Sequence, residues 1–490
     1  MKLLKHLEQK TTTWFIVAIS FVFFLFRLPS LFEPYWYGDE GIYEVIGFAL
    51  RHNLLLYRDI WDNKPPFLYL IYSIFDGDQF GVRLLSLIFG LASVIVFFIL
   101  AKKLFERQIS VYISTSIYAI LFGLPLIEGN IANAENFMLL PILVASLLIF
   151  SQIKSLAISN PLKHAGILFA SGLLLGLAFL FKIVAVFDFS AFFLFLAFAK
   201  YTKLKDIRSL TILLFPFVSG FFLPFILCVI YFFINGALSD FLHAAFTSNV
   251  GYVNYGNQLF IPQGLLIFKL IILSVITLFI FRIRRDISYR ALFIFLWFPF
   301  ALFNTFFSQR PYTHYLLVLL PSFCLAIGFA FSHKRFQKFI ILCLVLVVLF
   351  LQGNFNYYTK TIGYYSNFFS FVFGNKTVTD YQMFFDRVTP RDYGISEFVR
   401  GHMKPSDKIF VWGNSGEIYK LTSTLPLSRY IVAYHATANK QTFDETMKAL
   451  VIKKPLFIII LPNQPPLIFP SLLYKPRVTI DNAVIYERTF

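Results

Sequence analysis

The sequence predicts an all-α polytopic membrane domain of about eleven transmembrane helices followed by a small C-terminal α/β domain. Two observations predict the membrane domain. The 490 residues are 58% hydrophobic and only 14% charged, with a mean hydropathy of +0.70, and water cannot solvate that much apolar surface in a globular chain. Long apolar runs also recur from residue 12 to about residue 353, whereas a cleavable signal peptide would explain only the first run.

Eleven apolar runs approach the length of roughly 17 to 25 residues that a transmembrane helix needs. In chain order they are 12–29, 83–100, 109–127, 136–150, 165–181, 183–199, 209–234, 263–281, 291–307, 315–331 and 337–351. Because the number of spans is odd, the two termini are expected on opposite sides of the membrane.

The basic residues predict the orientation of these spans. With a cytoplasmic N-terminus, the cytoplasmic segments hold 19 Lys and Arg residues and the opposite short loops hold 6, which is the asymmetry of the positive-inside rule. The net charge of +17 is then explained by loops that face anionic lipid, so nucleic acid is not expected as a partner. All three cysteines lie in apolar runs, which predicts neither a disulfide framework nor a cysteine metal site.

The external segments are unequal in length and charge. The first, residues 30–82, carries eight acidic residues, and its apolar residues from Ile42 to Leu50 recur at helical spacing, which predicts an amphipathic helix at the membrane surface with Asp39 at its start. A second apolar run, 65–75, is too short to span and is expected in the interface. Residues 1–352 are therefore predicted to form the membrane domain and 353–490 an exported domain.

The exported tail regains charge and has short β-rich runs. Strands are predicted at 408–412, 429–434, 456–461 and 478–486, and helices at 392–403 and 441–452. Their alternation favours a small α/β domain.

The sequence Tyr37-Gly-Asp39-Glu40 places an acidic pair just after the first span. One interpretation is helix capping, since acids are common at helix N-termini. The other is catalysis, because transfer of a sugar to a hydroxyl needs a carboxylate within reach of the hydroxyl proton. One residue can satisfy both interpretations.

The segment Asn63-Lys64-Pro65-Pro66 is the second candidate motif. As an interfacial turn it would leave Lys64 to snorkel toward the head groups. Alternatively, the rigid Pro-Pro pair aims the Lys64 ammonium at one point near the membrane surface, which suits the phosphate of a lipid-linked donor.

These motifs resemble those of the GT-C membrane glycosyltransferases, and most closely the group of protein O-mannosyltransferases and lipid A aminoarabinose transferases. The resemblance covers roughly residues 14–332 and is carried by the order and common sidedness of six features: Asp39-Glu40, Asn63-Lys64-Pro-Pro, Gly-Val-Arg83-Leu-Leu, Asn133-Ala-Glu135-Asn-Phe, Leu180-Phe-Lys182 and Arg310-Pro-Tyr-Thr-His314-Tyr315. The chain departs from the aminoarabinose transferases at Ile42, where those enzymes tend to carry an arginine. This departure argues against a lipid A acceptor and an aminoarabinose donor.

The resemblance implies a role for each matching residue. Asp39 would be the catalytic base, with Glu40 and Glu135 as supporting acids. The donor phosphate would be bound by Lys64, with Lys182, Arg310 and His314 as further candidates. The sequence requires no cofactor, and no histidine or cysteine cluster demands a metal, although a divalent ion assists some relatives.

The predicted function is transfer of a sugar from a polyprenyl-phosphate donor to a protein, lipid or glycan acceptor on the non-cytoplasmic face of the membrane. The alternatives are a secondary transporter or lipid flippase, and a structural membrane protein with an exported interaction domain. Transporters tend to place ionisable residues near the bilayer midplane in repeated halves, whereas the charges here collect in external loops. Asp188, inside an apolar run, is not explained by the resemblance.

Overall fold

The computed structural model describes residues 2–158, 161–200, 207–249, 264–308, 310–332, 337–355, 357–467 and 469–489. It divides into two compact units. The first comprises Met1–Leu28, Leu85–Tyr231 and Asn249–Thr361, and the second comprises Pro29–Leu84, Phe232–Ser248 and Ile362–Phe490. The segment predicted to be external, residues 30–82, therefore clusters with the tail. The predicted boundary between the membrane domain and the exported domain, after residue 352, stays a prediction.

Fourteen helices precede the tail in the described part of the chain. They are α1 (Lys2–Arg27), α2 (Gly38–Arg51), α3 (Phe67–Ile74), α4 (Gln79–Leu104), α5 (Gln108–Gly123), α6 (Ala134–Ile158), α7 (Ala165–Phe181), α8 (Val186–Lys200), α9 (Ile207–Ile234), α10 (Leu238–Leu242), α11 (Gly264–Ile283), α12 (Tyr289–Phe307), α13 (Leu316–Ser332) and α14 (Gln337–Asn354).

Among the described residues, nine helices are long and apolar enough to cross a membrane, and α5 and α7 are shorter apolar helices. All eleven predicted spans fall on these helices, so the predicted fold class is confirmed. Residue Gln263, where one predicted span begins, lies outside the described residues, as do four cations counted for the orientation: Lys203, Lys205, Lys334 and Arg335.

Helices α7 and α9 of the first unit approach closely at small residues. A Cβ atom on Gly172 would lie 2.0 Å from the Phe217 carbonyl oxygen, and one on Gly220 would lie 2.2 Å from that of Phe169. Close backbone approach at glycine is a common way to pack helices in lipid, where apolar burial alone provides little driving force.

Asp188 is buried in α8, where it accepts a hydrogen bond of 2.7 Å from the Trp297 indole nitrogen on α12. A polar partner inside the helix bundle lowers the cost of placing a carboxyl group at membrane depth. Lys182, six residues before Asp188 in the sequence, pairs with Glu135.

In the second unit, α2 forms where the apolar spacing predicted it, and ten of its fourteen residues are buried. It packs on α3, the helix formed by the short apolar run. Gly47 allows this contact, because a Cβ atom there would lie 2.6 Å from the Tyr72 backbone carbon. The first external segment is therefore a folded part of the second unit and not a loose loop.

In its described residues the tail contains six α-helices and four strands. They are α15 (Thr361–Val372), α16 (Val378–Phe385), α17 (Thr389–His402), β1 (Ile409–Trp412), α18 (Glu417–Leu421), α19 (Ala433–Ala436), α20 (Lys440–Lys453), β2 (Phe457–Ile460), β3 (Tyr474–Ile480) and β4 (Ala483–Arg488). The sheet order is β1-β2-β4-β3, with β1 parallel to β2 and the other pairs antiparallel. Its core includes Phe410, Trp412, Leu450 and Ile458.

Two details of the predicted tail are wrong. The run 478–486 is not one strand, because Asp481 and Asn482 adopt positive φ angles and turn the chain between β3 and β4. Segment 429–434 is not a strand, because its backbone bonds elsewhere: the Arg429 carbonyl accepts from the Trp61 amide and the Ala433 amide donates to the Gly413 carbonyl.

Candidate active site

Asp39 and Lys64 form an ion pair in the second unit, with Lys64 Nζ 3.6 Å from Asp39 Oδ2. Asp39 lies in the first turn of α2, whose N-cap is Tyr37 with no side-chain capping bond, so Asp39 is not itself the N-cap residue. The Tyr43 hydroxyl, one turn later, donates to the same carboxylate oxygen at 3.0 Å. The Asp39 side chain is 42% exposed and that of Lys64 is 22% exposed, which leaves both functional groups accessible to a substrate.

The backbone of Lys64 is held on both sides. Its amide donates to the Tyr69 hydroxyl at 3.2 Å, and its carbonyl accepts from the Tyr57 hydroxyl at 2.7 Å. Its ammonium lies 4.6 Å from the centre of the Tyr43 ring, at cation–π distance. Pro65 and Pro66 follow and restrict the chain. This is a pre-organised cation and not a freely snorkelling side chain.

Glu40 has a different partner from its neighbour Asp39. Its carboxylate is buried and pairs with the guanidinium of Arg83. Arg83 belongs to α4, and its side chain is fully buried. Arg83 also contacts Glu33 at 2.9 Å and donates to the Ser30 carbonyl at 2.8 Å. Two carboxylates and a carbonyl thus compensate the desolvation of one guanidinium. The pair with Arg83 holds Glu40 at the start of α2, and its role as a supporting acid stays a prediction.

Lys64 is connected to a chain of buried polar groups. The sequence did not predict this chain. The Tyr69 hydroxyl donates to Asp62 Oδ2 at 2.7 Å, and His435 Nε2 lies 3.7 Å from Asp62 Oδ1. His435 belongs to α19 in the tail, more than 370 residues from Asp62. No local spacing signals such a contact, although Asp62 lies within the predicted motif segment.

The first unit contains a second group of predicted site residues. Glu135 lies in the first turn of α6 and is buried. It pairs with the ammonium of Lys182, which follows α7 in extended backbone. Lys182 Nζ also lies 4.1 Å from the centre of the Tyr315 ring. His314 Nε2 is 3.9 Å from the same Glu135 oxygen.

Glu128 joins this second group, although the sequence analysis did not single it out. Its carboxylate contacts His314 Nδ1 at 2.8 Å and accepts from the Thr313 hydroxyl at 2.7 Å. Glu128 has a φ of 57°, and the next residue must be glycine, because a Cβ on Gly129 would lie 2.1 Å from the Phe122 carbonyl oxygen. The Asn136 amide holds this turn through the Gly129 carbonyl at 2.6 Å.

Arg310 lies at the edge of the second group. Its guanidinium is 3.4 Å from the Tyr312 hydroxyl and 6.0 Å from the centre of that ring, and the Tyr312 ring stacks on His314. The structure thus collects the seven predicted residues into two groups, one in each unit. Among the residues that the structure describes, no group of three or more metal-ligating side chains is arranged for a metal, and metal dependence stays a prediction.

Comparison with protein families adds one match. Residues 49–238 match the family model described as dolichyl-phosphate-mannose-protein mannosyltransferase. Lys64, Glu135 and Lys182 lie inside the matched segment, whereas Asp39 precedes it and His314 follows it. A search of curated protein sequences gave no match.

Two solved structures share the fold over nearly the whole chain. ArnT from Cupriavidus metallidurans in the apo state aligns with a TM-score of 0.53 and 14% identity, covering 97% of this chain and 98% of that one. The same enzyme bound to undecaprenyl phosphate aligns with a TM-score of 0.52 and 14% identity, covering 96% and 97%. The fold recognised from the sequence is confirmed, and the family match of residues 49–238 lies within the group that the sequence resembles.

Acid should destabilise the site through His435. Burial lowers the pKa of His435 from 6.5 to about 4; Lys64 acts in the same direction, and the carboxylates of Asp62 and Asp39 oppose it. Because the unfolded histidine binds a proton more readily, this stability is present above pH 6.5 and is lost as the pH falls toward 4. The loss is on the order of 3 kcal/mol.

Thermal unfolding of the full-length chain in detergent tests this expectation between pH 7.5 and pH 4. On acidification the wild type should lose stability relative to His435→Phe, which cannot titrate. His402→Phe, at an exposed histidine of the tail, is the matched control and should track the wild type. A stability difference between wild type and His435→Phe that is independent of pH would contradict the expectation.

Proposed function

We propose a donor and a mechanism for this chain, which is a multi-pass membrane glycosyltransferase of GT-C fold that carries a domain of the dolichyl-phosphate-mannose-protein mannosyltransferase family. It transfers a sugar from a polyprenyl-phosphate carrier to an acceptor hydroxyl on the non-cytoplasmic face. The observation that carries the proposal is the accessible Asp39–Lys64 pair, which brings a proton acceptor and a phosphate-binding cation together at 3.6 Å.

Lys64 is the proposed ligand of the donor phosphate. A lysine ammonium binds phosphate as a point charge, and contacts between charged groups are about twice as strong as neutral hydrogen bonds. The backbone contacts of Lys64 with Tyr69 and Tyr57 reduce the entropy lost on binding. The family description names a dolichyl-phosphate sugar, and one structure of this fold contains undecaprenyl phosphate; both support a lipid-phosphate donor.

Asp39 is the proposed base. It takes the proton of the acceptor hydroxyl, the acceptor oxygen forms a bond to the anomeric carbon, and the bond from that carbon to the phosphate oxygen breaks. The polyprenyl phosphate leaves with the electron pair, and Lys64 stabilises its charge. Burial raises the pKa of the Tyr43 phenol well above its ordinary value, and nearby Asp39 adds to the effect, so Tyr43 remains a hydrogen-bond donor to the Asp39 carboxylate.

The second group has a supporting role in this proposal. Lys182 and His314 share the Glu135 carboxylate, and His314 also contacts Glu128. Additional donor contacts by Lys182, Arg310 and His314 stay a prediction.

The sugar is a hexose or pentose, and the acceptor is a protein, a lipid head group or a glycan. None of the comparisons supports a transporter or flippase, and Asp188 has a structural partner in Trp297.

The proposed orientation places the tail outside the cytoplasm, because the basic residues concentrate in the alternate loops. A reporter enzyme that is active only in the cytoplasm should be silent when fused after Phe490. The same reporter inserted after Arg285, in a predicted cytoplasmic loop, should be active. Strong activity from the Phe490 fusion would place the proposed site on the wrong face.

Asp39→Asn should lower the rate of transfer by about a hundredfold or more, because an amide of the same size cannot accept the acceptor proton. The measurement is transfer from a synthetic polyprenyl-phosphate sugar by purified protein, normalised to folded chain. Asp76→Asn, at an exposed acid of the same external segment with a φ of 55°, should retain full activity. Near-normal transfer by Asp39→Asn would leave Asp39 without a catalytic role.

Lys64→Ala should reduce transfer on the order of a hundredfold, because a charge-assisted phosphate contact is lost. Lys64→Arg should rescue only in part, since a planar guanidinium differs in shape and Pro65 limits backbone adjustment. Arg51→Ala, at an exposed cation in the last turn of α2, serves as the control. Wild-type turnover in Lys64→Ala, with only lower stability, would show that Lys64 merely anchors the segment.

A further inference from the structure

The position of the Lys64 backbone depends on the Tyr69 hydroxyl, which is itself hydrogen-bonded to Asp62. Tyr69 accepts from the Lys64 amide and donates its own proton to Asp62 Oδ2. Burial raises the pKa of Tyr69 well above its ordinary value, with Asp62 as the next cause, so the phenol stays protonated. The orientation of the Tyr69 hydroxyl, and with it the Lys64 backbone, is therefore determined by Asp62.

Asp62 is a buried carboxylate that needs compensation, with 3% of its surface exposed. Tyr69 contacts one of its oxygens, and His435 Nε2 faces the other at 3.7 Å. His435 is itself 6% exposed, and its Nδ1 has no hydrogen-bond partner among the described residues. Since the carboxylate can only accept, His435 stabilises Asp62 through a proton on Nε2.

The segment that carries Asp62 and Lys64 is also bound to the tail through Trp61. The Trp61 amide donates to the Arg429 carbonyl at 2.8 Å. Its indole ring lies 5.8 Å from the Tyr430 ring and meets the His435 ring edge-on at 4.9 Å. Arg429 in turn pairs with Asp240 at 3.0 Å. The tail thus contacts the segment through both backbone and side chains.

We propose that His435, contributed by the C-terminal tail, is a positioning residue of the active site that acts on Lys64 through Asp62 and Tyr69. The tail of this enzyme then completes the donor-binding site. This inference rests on the proposed function, because the effect on Lys64 matters only if Lys64 binds the donor phosphate. His435 itself touches no substrate; it stabilises Asp62, which holds Tyr69, which holds the Lys64 backbone.

His435→Phe tests the proposal, because phenylalanine retains the aromatic contact with Trp61 and removes the Nε2 proton. The Michaelis constant for the polyprenyl-phosphate sugar should rise about tenfold, as for the loss of a polar partner of a buried carboxylate, with kcat changed much less. The Michaelis constant for the acceptor should not change. His435→Gln, whose amide nitrogen can reach the position of Nε2, should restore most of the donor affinity. His402→Phe is the control.

Two further variants separate positioning from simple stability. Tyr69→Phe breaks the same chain at the hydroxyl that contacts the Lys64 backbone and should show the same rise in the donor Michaelis constant, even if His435→Phe fails to fold. In a Lys64→Ala background, His435→Phe should cause no further loss. An equal loss in both backgrounds, or a lower unfolding temperature with unchanged donor kinetics, would overturn the proposal.

The outcome for the wild type distinguishes this inference from the proposed function. If the wild type does not use polyprenyl-phosphate sugars at all, the proposed function fails. If the wild type transfers sugar and His435→Phe has the wild-type Michaelis constant for the donor, only the role of His435 fails.

Discussion

The burial of one guanidinium group is the constraint on which the proposed chemistry depends. Arg83 is fully buried and is compensated by Glu33 and Glu40, and such a cation can remain charged in an apolar setting only if its partners stay in place. Glu40 is adjacent to Asp39 in the first turn of α2. The pairing therefore fixes where α2 begins and where Asp39 points. The buried Arg83–Glu40 pair thus helps to position the Asp39–Lys64 pair.

The second functional residue is held by different means. Lys64 lies in a segment without regular structure, yet two tyrosine hydroxyls hold its backbone and Trp61 ties the segment to the tail. A charged group that is already oriented loses less entropy when it binds an anion. Asp39 is thus positioned by a helix terminus, whereas Lys64 is positioned by a hydrogen-bonded network that reaches His435.

The sequence alone predicted the features that arise from local chemistry. Hydropathy located the long apolar helices of the described residues, and the motif residues Asp39 and Lys64 proved to be neighbours. The contacts made over long sequence distances were not predictable: His435 shows no periodic or motif signal, and Glu128 reaches the second group only through a positive-φ turn. Segment 429–434 has β propensity, but its backbone groups bond to other partners, and tertiary context overrode the propensity.

Cleavage of a lipid-phosphate sugar can be tested by measuring the stoichiometry of its two products. Full-length protein in liposomes is given a synthetic polyprenyl-phosphate sugar labelled in both the sugar and the lipid, together with a membrane extract as the source of acceptors. We expect one polyprenyl monophosphate to be released for each sugar transferred. Lys64→Ala should reduce both products in parallel. Recovery of the intact labelled donor, moved across the bilayer without cleavage, would contradict it.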